Sequence, residues 1–191
     1  AAAPQAPQVH PVGGEAALAG GIAALAARQQ PSAGGFRTWP DANQRSVYLD
    51  GYTLWALARL KRAGIGVPDR LYKHAIASAR DLLDYPVETG DTRAAPSPPE
   101  RAFLLWALVE ADSSTVDDAD LEAAAQDPGR LGTAGQLCLL LALDRYAAAN
   151  PARPVLRQSA AAQIRRFLEN TGSAIDRTAR TASLEEPTPG V

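Results

Sequence analysis

Apolar residues recur along this chain at the spacing of helices rather than strands, and two kinds of stretch take turns. In the first kind one face is apolar. Residues 15–28 carry Leu18, Ile22 and Leu25, and residues 69–83 carry Leu71, Ala75, Ala79 and Leu82, with Tyr72, Ile76 and Leu83 beside them. Residues 155–170 repeat the pattern with Leu156, Ala160, Ile164, Phe167 and Leu168. In the second kind, residues 48–63, 98–110 and 131–149, apolar side chains cover most of the circumference, and such helices have to be enclosed by others. Helices of the two kinds alternate in sequence. That order predicts an all-α fold in which inner helices are wrapped by outer ones, as in an α/α toroid or solenoid. An irregular helical bundle satisfies the same pattern.

The boundaries carry their own chemistry. Gly64, Ile65 and Gly66 stop the helix over 48–63, whose apolar face is read as Leu49, Tyr52, Thr53, Ala56, Leu57 and Leu60, widened by Leu54 and Trp55; Pro68 starts the next helix. Gly20 and Gly21 weaken the first helix. Ser97 and Glu100 form a capping box with Pro98 and Pro99 at the first two helical positions. Thr115 and Asp118 suggest the cap of a short helix ending near Gln126, followed by a turn at Asp127, Pro128 and Gly129. Residues 85–96 read as a loop. The division is a flexible arm over 1–14, a helical domain over 15–170, and a loop or irregular tail over 171–191.

Between the first two helices stands the stretch around which the others are arranged. Gly34 and Gly35 allow positive φ and close backbone approach, and Phe36, Trp39 and Pro40 follow at a spacing that lets the rings pack on neighbouring helices. The run from Gly34 through the helix over 69–83 resembles a stretch of bacterial alpha-2-macroglobulin-like proteins. The residues that carry the resemblance are Gly34, Gly35, Phe36, Trp39, Pro40, Leu49, Tyr52, Ala63, Gly64, Val67 and Pro68. In that family the stretch lies in the thioester-type helical domain, an α/α toroid shared in shape with complement factors and terpenoid cyclases. The resemblance implies a partial ring of helical hairpins, about half of the family's six inner and six outer helices, with an inner face left open. It also implies a structural role for Gly34, Gly35, Phe36, Trp39, Pro40, Tyr52, Gly64 and Pro68.

Composition narrows the function classes. At 191 residues the chain is long enough for one domain with a sizeable core, and its formal net charge of −2 supplies no basic field for nucleic acid. No apolar run approaches the twenty or so residues of a membrane span. With no methionine anywhere, the sequence is expected to be a piece of a longer protein. One cysteine forms no internal disulfide and fits the cytoplasm and the periplasm equally.

Candidate chemistry is sparse. The family's thioester motif, Gly-Cys-x-Glu-Gln, is missing: Cys138 is followed by three leucines, and Gln136 precedes it. Cys138 is expected to be a small core residue. His10 and His74 are isolated and build neither a metal site nor a triad. The acids Asp117, Asp118, Asp120 and Glu122 suit the start of a helix, where carboxylates meet the positive end of the dipole, better than a metal box. Glu185 and Glu186 are read as solvated, near Arg177 and Arg180. Asp41 and Asp50 are the best acids for an enzyme and are read as caps of turns or of the helix near Leu49. No catalytic residue, metal ligand or cofactor is expected.

By resemblance, the chain is expected to be a scaffold part of a protease-trapping protein, meeting the remainder of its parent chain and target proteases, with cell-wall synthesis enzymes as further partners. A homodimer through the open half-ring face is a further expectation. The compartment implied is the periplasm, with membrane anchoring elsewhere in the parent chain, or else secretion. The alternative is an enzyme on the same toroid, terpenoid cyclase-like or carbohydrate-active. A cavity lined by acids and aromatics would favour the enzyme; the alanine-rich inner helices predict small aliphatics instead.

Overall fold

The alternation of one-faced and all-round apolar helices becomes two layers in the computed structural model, which describes residues 14–30, 35–36, 46–84, 95–151, 162 and 169. The helices are α1 (Gly14–Arg28), α2 (Val47–Arg62), α3 (Asp69–Leu83), α4 (Pro98–Ala111), α5 (Asp118–Ala125) and α6 (Gly132–Ala149), with short 3-10 turns at Ser113–Thr115 and Pro128–Leu131. Among the described residues the fold is all-α. Of the expected helix over 155–170 only residues 162 and 169 are described, both helical; residues 1–13 of the arm, the tail and the loop centre over 85–94 lie outside the described residues.

Helix ends follow the capping residues. Ser46 Oγ accepts the Leu49 N–H at 3.3 Å to open α2. The α2 exit is a Schellman turn: Gly64 takes φ 79°, its N–H donates to the Lys61 carbonyl, and the Ile65 N–H donates to the Leu60 carbonyl. Pro68 occupies the N-cap position of α3, one place before the first helical residue. At α4 the Glu100 carboxylate accepts the Ser97 N–H at 2.8 Å and the Ser97 hydroxyl at 2.6 Å, the capping box read from sequence. The cap of α5 differs from the expectation at Thr115 and Asp118. Thr115 is drawn into the preceding 3-10 turn, its hydroxyl donating to the Asp112 carbonyl at 2.7 Å, and Asp117 caps instead, reciprocated by Asp120.

Cross-helix contacts fix the directions. Tyr48 meets Phe103 and Trp55 meets Trp106, while Arg62 pairs with Glu110 at the far end, so α2 and α4 run parallel. Gly135 lies against Pro99, both in the first turns of their helices, which sets α6 parallel to α4. α3 runs the other way. Its start meets the ends of α2 and α4, through Lys61 to Asp69 at 3.3 Å and the Tyr72 hydroxyl donating to the Ala111 carbonyl at 2.8 Å. Its end meets the start of α2, through Ser78 and Asp50. α5 is likewise antiparallel to α6, its Asp118 accepting the Tyr146 hydroxyl at 2.8 Å.

Three parallel helices, α2, α4 and α6, thus stand side by side with α4 in the middle, and the reversed helices pack behind them, α3 against α2 and α4, and α5 against α4 and α6. The core lies between the layers. Leu54 and Leu57, Leu71 and Leu83, Leu104 and Leu108, and Leu139 and Leu143 are buried there. α4 is enclosed on all but one side, where Phe103 and Trp106 stay half-buried. α6 is more open: Leu137 and Leu141 are exposed on the side away from the second layer. The first helix packs by part of the face expected of it: Ile22 is buried and Leu25 lies against the core, while Leu18 is exposed.

Candidate functional site: an anchored turn and an aromatic groove

Phe36 forms an antiparallel bridge with Gln29 outside the helices, and Asp50 supplies its N–H with a partner. The aspartate sits in the first turn of α2 and is 1% exposed. One carboxylate oxygen accepts the Phe36 N–H at 2.7 Å and the other accepts the Ser78 hydroxyl at 3.0 Å, so a single buried carboxylate joins the turn, α2 and α3. A buried charge is tolerated only when it is hydrogen-bonded, and bonds to a charged acceptor are roughly twice as strong as neutral ones. α1 holds the same turn from the other side. The Gln30 N–H donates to the Gly35 carbonyl at 2.8 Å, and the Gln29 side-chain amide donates to the Leu71 carbonyl at 3.1 Å. Phe36, 1% exposed, is driven into the core by this arrangement.

Of the residues singled out in the sequence, Gly35 and Phe36 are therefore buried in the turn, Gly64 makes the Schellman exit, and Pro68 precedes α3. Gly34, Trp39, Pro40 and Asp41 lie outside the described residues. Tyr52 departs from the expected apolar face: it is 61% exposed, on the side of α2 opposite Thr53, Leu54 and Leu57. The anchoring role of Ser78 had no sequence signal, because a lone serine in a helix has no spacing pattern.

Tyr52 belongs to a second feature. On α2, Tyr48, Tyr52, Trp55 and Arg59 fall four, three and four residues apart, and on α4, Pro99, Phe103, Trp106 and Glu110 repeat that interval. Each set forms a stripe on one helix face. The rings pack in sequence from Tyr48 to Phe103, Trp106, Trp55 and Tyr52, with centroids between 5.5 and 6.0 Å apart and all pairs tilted. Arg59 lies over the Trp55 ring at 5.8 Å, a cation–π contact. Toward the helix starts the stripes border an open groove of about 620 Å³, whose lining includes Tyr48, Tyr52, Pro99, Phe103, Ala134 and Cys138.

The groove lining mixes rings with small residues, Ala134 and Gly135 among them, and holds no acid. The alanines of the inner helices, Ala58, Ala102, Ala107 and Ala142, are buried at helix contacts, where small side chains let the backbones approach, and the large rings are left on the open side. Gly51 and Gly135 have the same use: a Cβ on Gly51 would stand 2.7 Å from the Phe103 ring, and one on Gly135 would stand 3.0 Å from the Pro99 Cα. The stripe interval was present in the sequence. It was hidden because the same residues also satisfy a core-facing pattern.

The remaining candidates have local duties. Asp117 caps α5, Asp118 holds Tyr146, and Asp120 pairs with Arg80, which also reaches Asp84 at 2.8 Å. Burial works against the Arg80 charge, yet the hydrogen bonds to Asp120 and Asp84 outweigh it and leave the guanidinium pKa raised. Glu122 is exposed, and His74 is half-buried on α3. Cys138 is half-buried, packed against the core on one side and lining the groove on the other, and burial pushes its thiol pKa up, which holds it as the less reactive thiol. Among the described residues, no three His, Cys, Asp or Glu side chains come together as a metal-binding group. No described helix is long and apolar enough to cross a membrane.

No protein-family model and no curated protein sequence matches this chain. Among solved structures it is similar to native alpha-2-macroglobulin from Escherichia coli, in a crystal structure spanning domain MG7 to the C-terminus. The similarity covers 79% of this chain and 23% of that one, with a TM-score of 0.61 and 18% identity. At that identity the likeness is one of fold, and the chain spans under a quarter of the neighbour's length.

Proposed function

We propose that this chain is a scaffold part of the thioester-type domain of an alpha-2-macroglobulin-like protein that traps proteases, and that it carries out no chemistry itself. The observation that supports the reading is the shared fold with the Escherichia coli alpha-2-macroglobulin segment over 79% of the chain. The Gly35-Phe36 backbone, part of the stretch that carries the resemblance, is hydrogen-bonded to Asp50 and Gln30, which agrees with the structural role the reading gives it. In this reading the two helical layers are part of an α/α toroid, the rest of the ring comes from the parent chain, and target proteases are met by the assembled protein. The periplasm is the compartment that goes with it.

A trap works by enclosure, which gives it a signature separate from active-site inhibition. The test is to mix the full natural protein with proteases of differing specificity and assay each on a large protein substrate and on a small chromogenic peptide. Trapping predicts loss of activity on the large substrate with activity on the peptide retained. Equal loss on both substrates, or no loss on either, would overturn the proposal.

A further inference from the structure

The large apolar side chains left in solvent are gathered rather than scattered. Among the described residues Leu18 stands apart on α1, whereas Tyr48 and Tyr52 on α2 and Leu137 and Leu141 on α6 share the open face of the three parallel helices, on either side of α4. Between them lies the groove, with Pro99 and Phe103 of α4 in the middle and Ala134 and Cys138 on the α6 side. On α6, Ala134, Leu137 or Cys138, and Leu141 follow at intervals of three and four, so the groove wall runs on into the exposed leucines. Single exposed apolar residues are ordinary, but a contiguous patch of this kind marks an interaction site.

Size and charge select among occupants. Three helices about 8–10 Å apart and roughly 21–27 Å long present a face of about 500–800 Å². A stable pair of proteins buries about 800 Å² on each side, and this face supplies most of that. A single docked helix, about 10–12 Å across, would leave either α2 or α6 bare, and a small molecule in the groove would leave Leu137 and Leu141 in water. A face that meets its own copy sets like against like, which is costly wherever it carries charge of one sign. Among the described residues no charged side chain lines the groove, and Arg59 and Glu110 stand at the opposite ends of the α2 and α4 stripes. A two-fold axis normal to the face runs the helices of the two copies antiparallel, sets those charged ends apart, and makes every contact reciprocal.

We propose that two copies of this chain pair through the open face of α2, α4 and α6, antiparallel about a two-fold axis, each setting Leu137 and Leu141 against the groove of the other. The pairing rests on this face alone, so its failure would leave the trapping reading as it stands.

The test is sedimentation velocity on the full chain over a range of concentrations. A doubling of molar mass is expected, with a Kd on the order of 10 μM. Each residue of the face enters the pair twice, so Tyr52→Arg and Leu141→Ser, at about tenfold per copy, should each weaken pairing about a hundredfold. Both side chains are exposed, and the circular dichroism of the variants should match that of the parent. Leu18→Ser removes an exposed leucine from α1 and should leave pairing unchanged. Cys138 lines the groove, so its rate of alkylation should fall as the chain concentration rises through the Kd. A chain that stays monomeric up to about 500 μM would overturn the proposal, as would a dimer that Tyr52→Arg and Leu141→Ser leave intact. So would a dimer in which Cys138 reacts at the rate of the monomer, or one that Leu18→Ser weakens as much as Leu141→Ser. A monomer that binds one anilinonaphthalene sulfonate, lost in Tyr52→Arg, would give the groove to a small apolar ligand and overturn it too.

Discussion

Replacing Asp50 with alanine removes the acceptor on which the turn, α2 and α3 converge. The Phe36 N–H, bonded at 2.7 Å in a buried position, then has no carboxylate to meet and no path to water. A hydrogen bond to a charged group contributes about 1.5–3 kcal/mol, and leaving its buried partner unsatisfied puts the cost at the upper end of that range. Ser78 loses less, since a helical serine can turn its hydroxyl to a carbonyl one turn back, and about 0.5–1 kcal/mol is assigned to it. The sum is about 3.5–4 kcal/mol for Asp50→Ala, or a melting temperature lower by about 7–16 °C in a chain of this length. Asp50→Asn retains one carbonyl oxygen for Phe36 and should cost about half as much, and Ser78→Ala about 1 kcal/mol. Urea unfolding followed by circular dichroism gives the ranking, and amide exchange gives the location, because the Phe36 amide should lose protection ahead of the helices. If Asp50→Ala costs under about 1 kcal/mol, or no more than Ser78→Ala, the carboxylate does not organise the turn and the reasoning fails.

The close helix contacts make opposite demands on two glycines. Gly135→Ala sets a methyl 3.0 Å from the Pro99 Cα, a backbone atom that cannot turn aside, and should destabilise by about 1–3 kcal/mol in thermal unfolding. Gly51→Ala meets only the end of the Phe103 ring at 2.7 Å; the ring can swing, a helical alanine recovers about 0.5–1 kcal/mol, and the net change should be small. Tyr72 has its pKa raised above 10.0, first by burial and then by Asp112, so the folded state holds its proton longer than the unfolded chain. Its contribution to stability is therefore full below the unfolded value and lost as pH rises beyond it, and Tyr72→Phe should flatten that alkaline decline in pH-dependent unfolding. Cys138, with its thiol pKa raised by burial, should react with iodoacetamide more slowly than a free cysteine at neutral pH and catch up only above the ordinary value of 9.0. A rate equal to that of free cysteine at neutral pH would contradict the burial assigned to it.

The sequence by itself determined most of the described helices and most of their ends, the cap of α5 excepted. Periodicity and caps are local: the proline, glycine and serine positions around 64–68 and 97–100 act within one turn, and neither needs the remainder of the chain in order to be read. It also marked Gly35 and Phe36 as a break between two helices, and there the structure holds the Phe36 backbone to Asp50. Only the tertiary structure decided which apolar face looks inward. Tyr52 satisfies the helical interval for a core face and for the open stripe alike, and what excludes it from the core is the close approach of α4 to α2 at Gly51 and Phe103, a contact between residues about fifty positions apart. The same holds for Asp50 and Ser78, and for Cys138, which packs between the core and the groove. Their neighbours come from other helices, and the order of residues along one helix carries no record of which helix will be laid against it.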